Sequence, residues 1–342
     1  MQFTLQARHK KCEVHVGHFG NLIRLMMPAK RCIFLTDDNV FRIYQDFFTD
    51  KETIVVKNGE ANKTLQTVHE VYMQLMTMGA DRKSFLIGMG GGIVTDLAGF
   101  VASTFMRGLD FGFISTTLLG QIDAVIGGKN GVNVNHFKNI AGTINQPDFI
   151  INDPSFFQTL PEEEFINGSA ELVKHYLITD TAGFEWFKNN FHLFEIRDPE
   201  FLATLIYQHN KLKAGIVEAD ETEQGIRKIL NFGHTIGHAI ERETKLPHGF
   251  AIAQGMVLAA RISQLLGFTG NNTVNEVINI LEKCKLPTNS DLPIESIISS
   301  LRADKKKSGD QIDFIYLESI GKAGIHTMSL DGLEKIIKQI YN

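Results

Sequence analysis

An alternation running through residues 1–150 limits the fold more than any other feature. Apolar runs of strand length (RCIFLTDDNV, TIVVKNGEANK, SFLIGMGGG, FGFISTT) are separated by stretches of helical period such as TLQTVHEVYMQLMTMG and IVTDLAGFVASTFMRG. Strands apolar on both faces need cover on both sides, and helices between them supply the crossovers of a parallel sheet. QFTLQ and CEVHVG read as short strands by alternation, and DFIINDP closes the series. The pattern predicts an α/β domain with a mostly parallel sheet over 1–154. Beyond Ser155 helical periodicity takes over, from EEEFINGSAELVKHYLI to GLEKIIKQIY, with one strand-like piece, QIDFIYLESIG. An all-α domain over 155–342 is expected.

A chain of 342 residues, 43% hydrophobic and 21% charged, suits a soluble globular protein of two domains. A net charge of −5 argues against nucleic acid or an anionic membrane surface as partner. Cys12, Cys32 and Cys284 lack CxxC spacing, which fits a reducing compartment and speaks against a thiolate zinc site. MQFTLQARHKK lacks the apolar core of a signal peptide, and no run approaches the ~18 apolar residues of a membrane span. A cytoplasmic protein is expected.

Ligands of open α/β sheets lie beyond the carboxyl ends of the strands, where Asp37, Glu60 and the Gly90 cluster fall. Gly88-Met-Gly90-Gly91-Gly92-Ile-Val-Thr-Asp96 follows a strand and opens a helix. Glycine there allows close approach to a phosphate, with helix N-terminal amides as donors. The stretch fails the GxGxxG fingerprint, so it is a dinucleotide loop of another kind or a tight strand–helix turn. Glu60 and Lys63 also read as a solvated helix start. Asp123, Lys129, Lys138 and Asn139 beside glycines read as an anion cradle or as a solvated loop. Arg107 at a helix end complements the dipole with no function implied. Glu171 and Lys174 are one turn apart in an apolar helix, an ion pair or a binding pair. Lys213, Glu223 and the Lys305–Lys307 run pass as surface charges.

The stretch GIRKILNFGHTIGHAIERETKLPHGFAIAQGM puts His234 and His238 four residues apart, on one face of a helix. Arg227 and Asn231 on the preceding turns extend that face into a polar stripe. By spacing alone, the histidine pair reads equally as metal ligands or as capped or core histidines. Thr235 stands where a zincin has its Glu, so a protease is disfavoured. A metal wants a carboxylate beside two imidazoles, and Glu171, His234 and His248 supply an open set of that kind.

The order of motifs resembles the 3-dehydroquinate synthase family, within the sugar phosphate cyclases, over nearly the whole chain. The residues carrying the likeness are GE-x2-K at Gly59–Lys63, GGGIVTDLAGF at Gly90–Phe100, MRG at Met106–Gly108, STTLL at Ser115–Leu119, D-x5-K at Asp123–Lys129 and KN-x2-G at Lys138–Gly142. TLP at Thr159–Pro161, AELVK at Ala170–Lys174, Lys213-Ala214, ADETEQGIRKILNFGHTIGHAIE at Ala219–Glu241, LPHG at Leu246–Gly249 and DKK at Asp304–Lys306 continue it.

The resemblance implies an enzyme that binds NAD and a divalent metal, zinc or cobalt, between the two domains, and a homodimer. Metal ligands would be Glu171, His234 and His248. NAD contacts would come from Asp37, Glu60, Lys63, Gly91, Gly92, Ile93, Asp96, Thr116, Thr117, Leu119, Lys138 and Thr159, with Asp123 and Lys129 near both cofactor and substrate. The sugar phosphate substrate, 3-deoxy-D-arabino-heptulosonate 7-phosphate, would be held by Lys174, Lys213, Arg227, Asn139, Asn231, His238 and Lys305 or Lys306. Arg107 would reach a phosphate, that of the neighbouring subunit. Transient oxidation, phosphate elimination, reduction and an intramolecular aldol step would follow, returning NAD unchanged. His238 is expected to tune proton transfer rather than bind the metal.

Three departures from the family pattern stand out. Phe250 replaces the usual Glu after HG, Ser115 the usual Pro before TTLL, and Ala124-Val125 a Ser pair. Loss of a carboxylate at 250 is expected to weaken the orientation of His248. The rivals are a valiolone- or inosose-type cyclase, a metal-dependent polyol dehydrogenase that releases NADH, and a cofactor-binding homologue that has lost catalysis. Arg227 and Lys213 favour a substrate with a carboxylate.

Overall fold

The computed structural model describes residues 1–8, 10–135, 137–305 and 311–341. Nine strands lie in the first part: β1 (Gln2–Gln6), β2 (Lys11–Val16), β3 (Cys32–Asp37), β4 (Thr53–Val56), β5 (Phe85–Gly90), β6 (Asp110–Ser115), β7 (Lys129–Val134), β8 (Phe137–Ile144) and β9 (Phe149–Asn152). Seven of them form one sheet in the order β1-β2-β9-β6-β5-β3-β4. Only the β1–β2 pairing is antiparallel; every other neighbour pair is parallel.

The apolar runs are explained by burial on both faces. Ile33, Leu35, Leu86, Phe113 and Ile150 enter one core with Val68, Val71, Leu97 and Val101 of two crossover helices. The alternate residues Phe34, Ile87, Met89, Ile114 and Ile151 enter a second core with Ile23, Val40 and Phe156. β7 and β8 pair with each other as a separate antiparallel hairpin, which carries the lysines expected in a loop.

The chain divides into two compact units, Met1–Pro161 with Ile196–Thr222, and Glu162–Glu195 with Glu223–Asn342. A single cut at 154/155 therefore misplaces the helix Pro199–Ala219, which belongs to the first unit. Its Ala214 and Val217 join the core that holds Leu5, Cys12 and Val14. Tyr207 packs edge-on to Phe3, and the backbone N–H of Gln6 donates to Glu218 at 2.6 Å. Lys213 travels with this helix into the α/β unit.

The second unit is mostly helical. Glu162–Thr179 is buried almost all round from Asn167 to Ile178, and His248–Leu265 is buried over most of its length. Such helices form the centre of a bundle. The expectation of an all-α domain is corrected by one antiparallel hairpin, β10 (Gln311–Ser319) with β11 (Lys322–Ser329). β10 was legible; β11 exposes alternate residues along its length and carries no strong apolar signal. Among the described residues, no helix is long and apolar enough to cross a membrane.

Candidate functional site

In the helical unit, Glu171 is 1% exposed and lies on the central helix Glu162–Thr179. Its Oε1 is 3.4 Å from Nε2 of His234 and 3.4 Å from Nε2 of His248. One ligand atom from each of the three residues falls within 4.8 Å of the others, an arrangement competent to hold a metal ion. Both imidazoles are anchored through their other nitrogen: His234 Nδ1 lies 3.2 Å from the Phe232 carbonyl, and His248 Nδ1 lies 3.4 Å from Glu241 Oε2. With Nδ1–H donating, each Nε2 offers its lone pair towards Glu171, as metal ligation requires. Burial, reinforced by the Lys174 ammonium, holds His234 well below its ordinary pKa and so neutral. For His248, burial acts downward, but Glu171 and Glu241 outweigh it and lift the group to about 9. The donor set fits a divalent metal.

The two histidines do not share one continuous helix with Arg227 and Asn231. Ile226–Asn231 is a 3-10 turn, Gly233 adopts φ 78°, and the α-helix begins at His234 and runs to Thr244. The expected Arg–Asn–His–His stripe is thus broken, although the residue spacing was compatible with it. The break is enforced by packing. A Cβ on Gly233 would lie 2.5 Å from Met256 Cγ and 2.8 Å from its backbone nitrogen. One turn on, a Cβ on Gly255 would lie 2.2 Å from the Gly233 carbonyl and 2.6 Å from the Gly237 nitrogen. Helices His234–Thr244 and His248–Leu265 therefore touch backbone to backbone, which sets the separation of their two imidazoles.

Around this centre, Lys174 forms a buried ion pair with Glu171, both on one helix face. Arg227 is 2% exposed, and Asn231 donates to Glu223 at 2.6 Å. His238 is exposed, its ring centroid 5.1 Å from that of His234 and 5.9 Å from that of His248. Lys305 ends the helix Ile294–Lys305, and Lys306 lies outside the described residues.

In the α/β unit, Gly91 caps the helix Gly92–Thr104 at the end of β5. The Thr116 N–H donates to the Gly90 carbonyl at 3.0 Å, and a Cβ on Gly91 would lie 2.9 Å from Thr117 Cγ2. A Cβ on Gly92 would meet that of Ala124 at 3.3 Å. The glycines thus keep a bare backbone cradle beside Ile93, Thr116 and Thr117, of the kind a dinucleotide phosphate needs. Below it, Lys63 is 4% exposed and donates to Asp96 at 2.5 Å and to Asn139 at 2.6 Å. Burial pushes the Asp96 carboxyl up against the pull of Lys63. Asn133 ties the group together, donating from its side chain to Glu60 at 2.8 Å and from its backbone to the Lys63 carbonyl at 2.8 Å. The solvated-start reading of Glu60 and Lys63 is therefore replaced by a hydrogen-bonded network around the buried Lys63 ammonium.

Asp123 sits in a π-helical turn, Gly120–Ala124, and its carboxylate meets Lys213 at 2.7 Å. Lys213 is buried, so its reading as a surface charge is corrected. The turn is fixed by Asn210, which donates to the Gln121 carbonyl at 2.6 Å, and by Gln121, which donates to the Ser115 carbonyl at 2.8 Å. Asp37 acts as a helix cap, accepting from Asn39 and Val40 at 2.9 and 3.0 Å. Thr159 bonds Tyr44 at 2.7 Å. Lys129 and Lys138 are exposed on the β7–β8 hairpin. Arg107 is exposed in a turn where Met106, Arg107 and Gly108 all take positive φ (49°, 73° and 124°), sparsely populated backbone for the two non-glycine residues.

Three positioning residues escaped the sequence reading: Asn133, Asn167 and Glu241. Each sits within or beside a quoted motif, but nothing in its spacing states which neighbour it serves.

The family model of the 3-dehydroquinate synthase N-terminal domain matches residues 53–167, and that of the C-terminal domain matches residues 168–307. The chain belongs to the 3-dehydroquinate synthase family. Among relatives of this family, the 3-dehydroquinate synthase of Pyrococcus abyssi is 41% identical over 327 residues, covering 94% of this chain and 96% of that protein. That of Thermoanaerobacter pseudethanolicus is 36% identical over 333 residues, covering 93% of each. A solved 2-deoxy-scyllo-inosose synthase, complexed with carbaglucose-6-phosphate, NAD+ and Co2+, superposes with a TM-score of 0.87 at 25% identity, covering 99% of this chain and 100% of that one. The 3-dehydroquinate synthase motifs quoted above all lie within the matched ranges.

Proposed function

We propose that the chain is a phosphate-eliminating cyclase that converts 3-deoxy-D-arabino-heptulosonate 7-phosphate into 3-dehydroquinate, using bound NAD and a divalent metal, zinc or cobalt. The observation that carries this reading is the convergence of Glu171, His234 and His248 on one point. Membership of the 3-dehydroquinate synthase family supplies the substrate class. When bound, these groups supply polarisation of a substrate hydroxyl and reversible hydride acceptance.

The remaining work falls to the chain's own side chains. Glu171, His234 and His248 hold the metal. Gly91, Gly92, Ile93, Asp96, Thr116, Thr117 and Leu119 accept NAD, together with Glu60, Lys63, Asp37, Lys138 and Thr159. Lys174, Lys213 and Arg227 are buried cations suited to the carboxylate and phosphate of the substrate, Arg227 by its planar fork. Asp123, Lys129, Asn139 and Asn231 orient hydroxyls and phosphate. Holding the phosphate against the substrate's own C–H lets it act as the base for its departure. His238 moves protons at the substrate. The buried Arg227 favours a heptulosonate over a neutral ketose, which sets this reading above an inosose- or valiolone-type cyclase.

The working form we propose is a cytoplasmic homodimer in which exposed Arg107 serves a phosphate. Three cysteines free of disulfides support a reducing compartment. The test is to supply NAD, zinc and the heptulosonate phosphate to the purified protein. Phosphate and 3-dehydroquinate are expected in equal amounts, abolished by a chelator and restored by zinc or cobalt. Absence of 3-dehydroquinate from the metal-loaded protein would reject the assignment.

A further inference from the structure

We infer that Glu241 is the positioning residue for His248, doing in this chain what a carboxylate after the HG pair was expected to do. The inference rests on Glu171, His234 and His248 forming the metal centre. Position 250 is a poor place for a partner of His248. Both residues lie in the first turn of the helix His248–Leu265, and residues two apart in an α-helix point about 200° away from each other. A carboxylate at 250 would face away from the imidazole, and Phe250 removes nothing that His248 needs. The partner comes instead from the preceding helix. Glu241 lies in the last part of His234–Thr244, is 8% exposed, and places Oε2 3.4 Å from His248 Nδ1. Lys245, in the left-handed conformation at φ 60°, ends that helix, and the chain returns through Pro247 so that His248 becomes the first residue of the next one.

The arrangement repeats what the Phe232 carbonyl does for His234, with a difference of charge. A backbone carbonyl fixes the tautomer of His234. A carboxylate fixes the tautomer of His248 and also makes the ring more electron-rich, so His248 is the stronger donor of the two. His248 needs the extra hold because its side chain is 29% exposed, against 13% for His234. Glu241, His248 and His238 also bring ligand atoms within 4.8 Å of one another, so a direct ligand role for Glu241 towards a further ion is the competing reading.

The experiment compares the full chain with Glu241→Gln, Glu241→Ala and Glu171→Gln. Zinc affinity is measured by competition with a chelator, and the visible spectrum of the cobalt(II)-loaded protein is recorded. Glu241→Gln keeps the shape and an acceptor oxygen, so zinc affinity is expected to fall about 10-fold, and about 100-fold in Glu241→Ala. One cobalt ion per chain is expected in both, with an altered spectrum, and Glu171→Gln is expected to lose the ion. Wild-type affinity and spectrum in Glu241→Gln, with the ion lost in Glu171→Gln, would overturn the positioning role and leave the metal centre standing. Failure of the wild-type chain to bind any ion would reject the centre itself. Two ions per chain, the second lost in Glu241→Gln, would make Glu241 a ligand and overturn the inference. Should the variants not fold, long-range proton–nitrogen spectra of the zinc-loaded wild type decide: the Nδ1–H tautomer of His248 is expected, and the Nε2–H tautomer would overturn the inference.

Discussion

The side-chain oxygen of Asn167 accepts a 2.6 Å hydrogen bond from the backbone N–H of Gly249. Asn167 stands one turn before Glu171 on the central helix, and Gly249 directly follows His248. The contact occupies one of the unbonded amides at the start of the second helix and ties the helix of Glu171 to that of His248. A Cβ on Gly249 would lie 1.9 Å from the Asn167 carbonyl, so the approach depends on glycine.

Asn167→Ala removes this cap. A loss of about 1–2 kcal/mol of stability is expected, read as a lower urea midpoint at unchanged slope. Zinc should also dissociate faster. An unchanged midpoint and off-rate would remove Asn167 from the account of the centre.

Gly255→Ala tests the backbone contact between the two histidine helices. The added carbon meets the Gly233 carbonyl and the Gly237 backbone, neither of which can rotate away. A destabilisation of about 3 kcal/mol is expected, with zinc content lost before the fold. Gly215→Ala is the control, because a Cβ there meets nothing within 4 Å.

Gly91→Ala leaves the backbone unstrained, since φ is already −76°, but puts a carbon 2.9 Å from Thr117. NAD affinity is expected to weaken about tenfold, a cost of about 1.4 kcal/mol, while zinc affinity stays constant. Titration calorimetry for the two ligands separates the outcomes; equal NAD affinity in the variant would remove Gly91 from the cofactor loop.

The metal-free centre makes stability depend on pH. Burial opposes but Glu171 and Glu241 raise His248 to about 9, above its ordinary 6.5. The stabilisation from its proton is therefore complete below about pH 6.5 and is lost as pH climbs through about 9. His234, lowered by burial, acts in the opposite sense and only below about pH 6.5. The urea midpoint of the metal-free protein should fall between about pH 6.5 and 9, and zinc binding should release close to one proton in that window. A flat profile would contradict the pairing of His248 with the two carboxylates.

How far the sequence could be read follows from which interactions are local. Ile33, Phe34 and Leu35 announce a two-faced buried strand because their surroundings repeat the same apolar message on each side. β11 is partly exposed and short of apolar residues, so only its partner β10 was visible. His234 and His248 were singled out through the motifs that flank them, and the structure brings both to Glu171. The break at Gly233 stayed hidden because IRKILN and HTIGHAIE both have helical periodicity, and only the close approach of Met256 and Gly255 from a later helix interrupts them. Lys213 read as a surface charge because its partner Asp123 is far away in sequence. Glu241 and Asn167 escaped for the same reason: an orienting residue is defined by the ring or amide it meets, not by its own spacing.

The most direct test follows NAD during turnover. The zinc-loaded protein, with NAD held at a fraction of the heptulosonate phosphate, is monitored for NADH, phosphate and 3-dehydroquinate together. A cyclase that returns NAD unchanged is expected to release many phosphates and many 3-dehydroquinate molecules per NAD, with no net NADH at the end. Accumulation of NADH in step with product would mark a dehydrogenase and contradict that expectation.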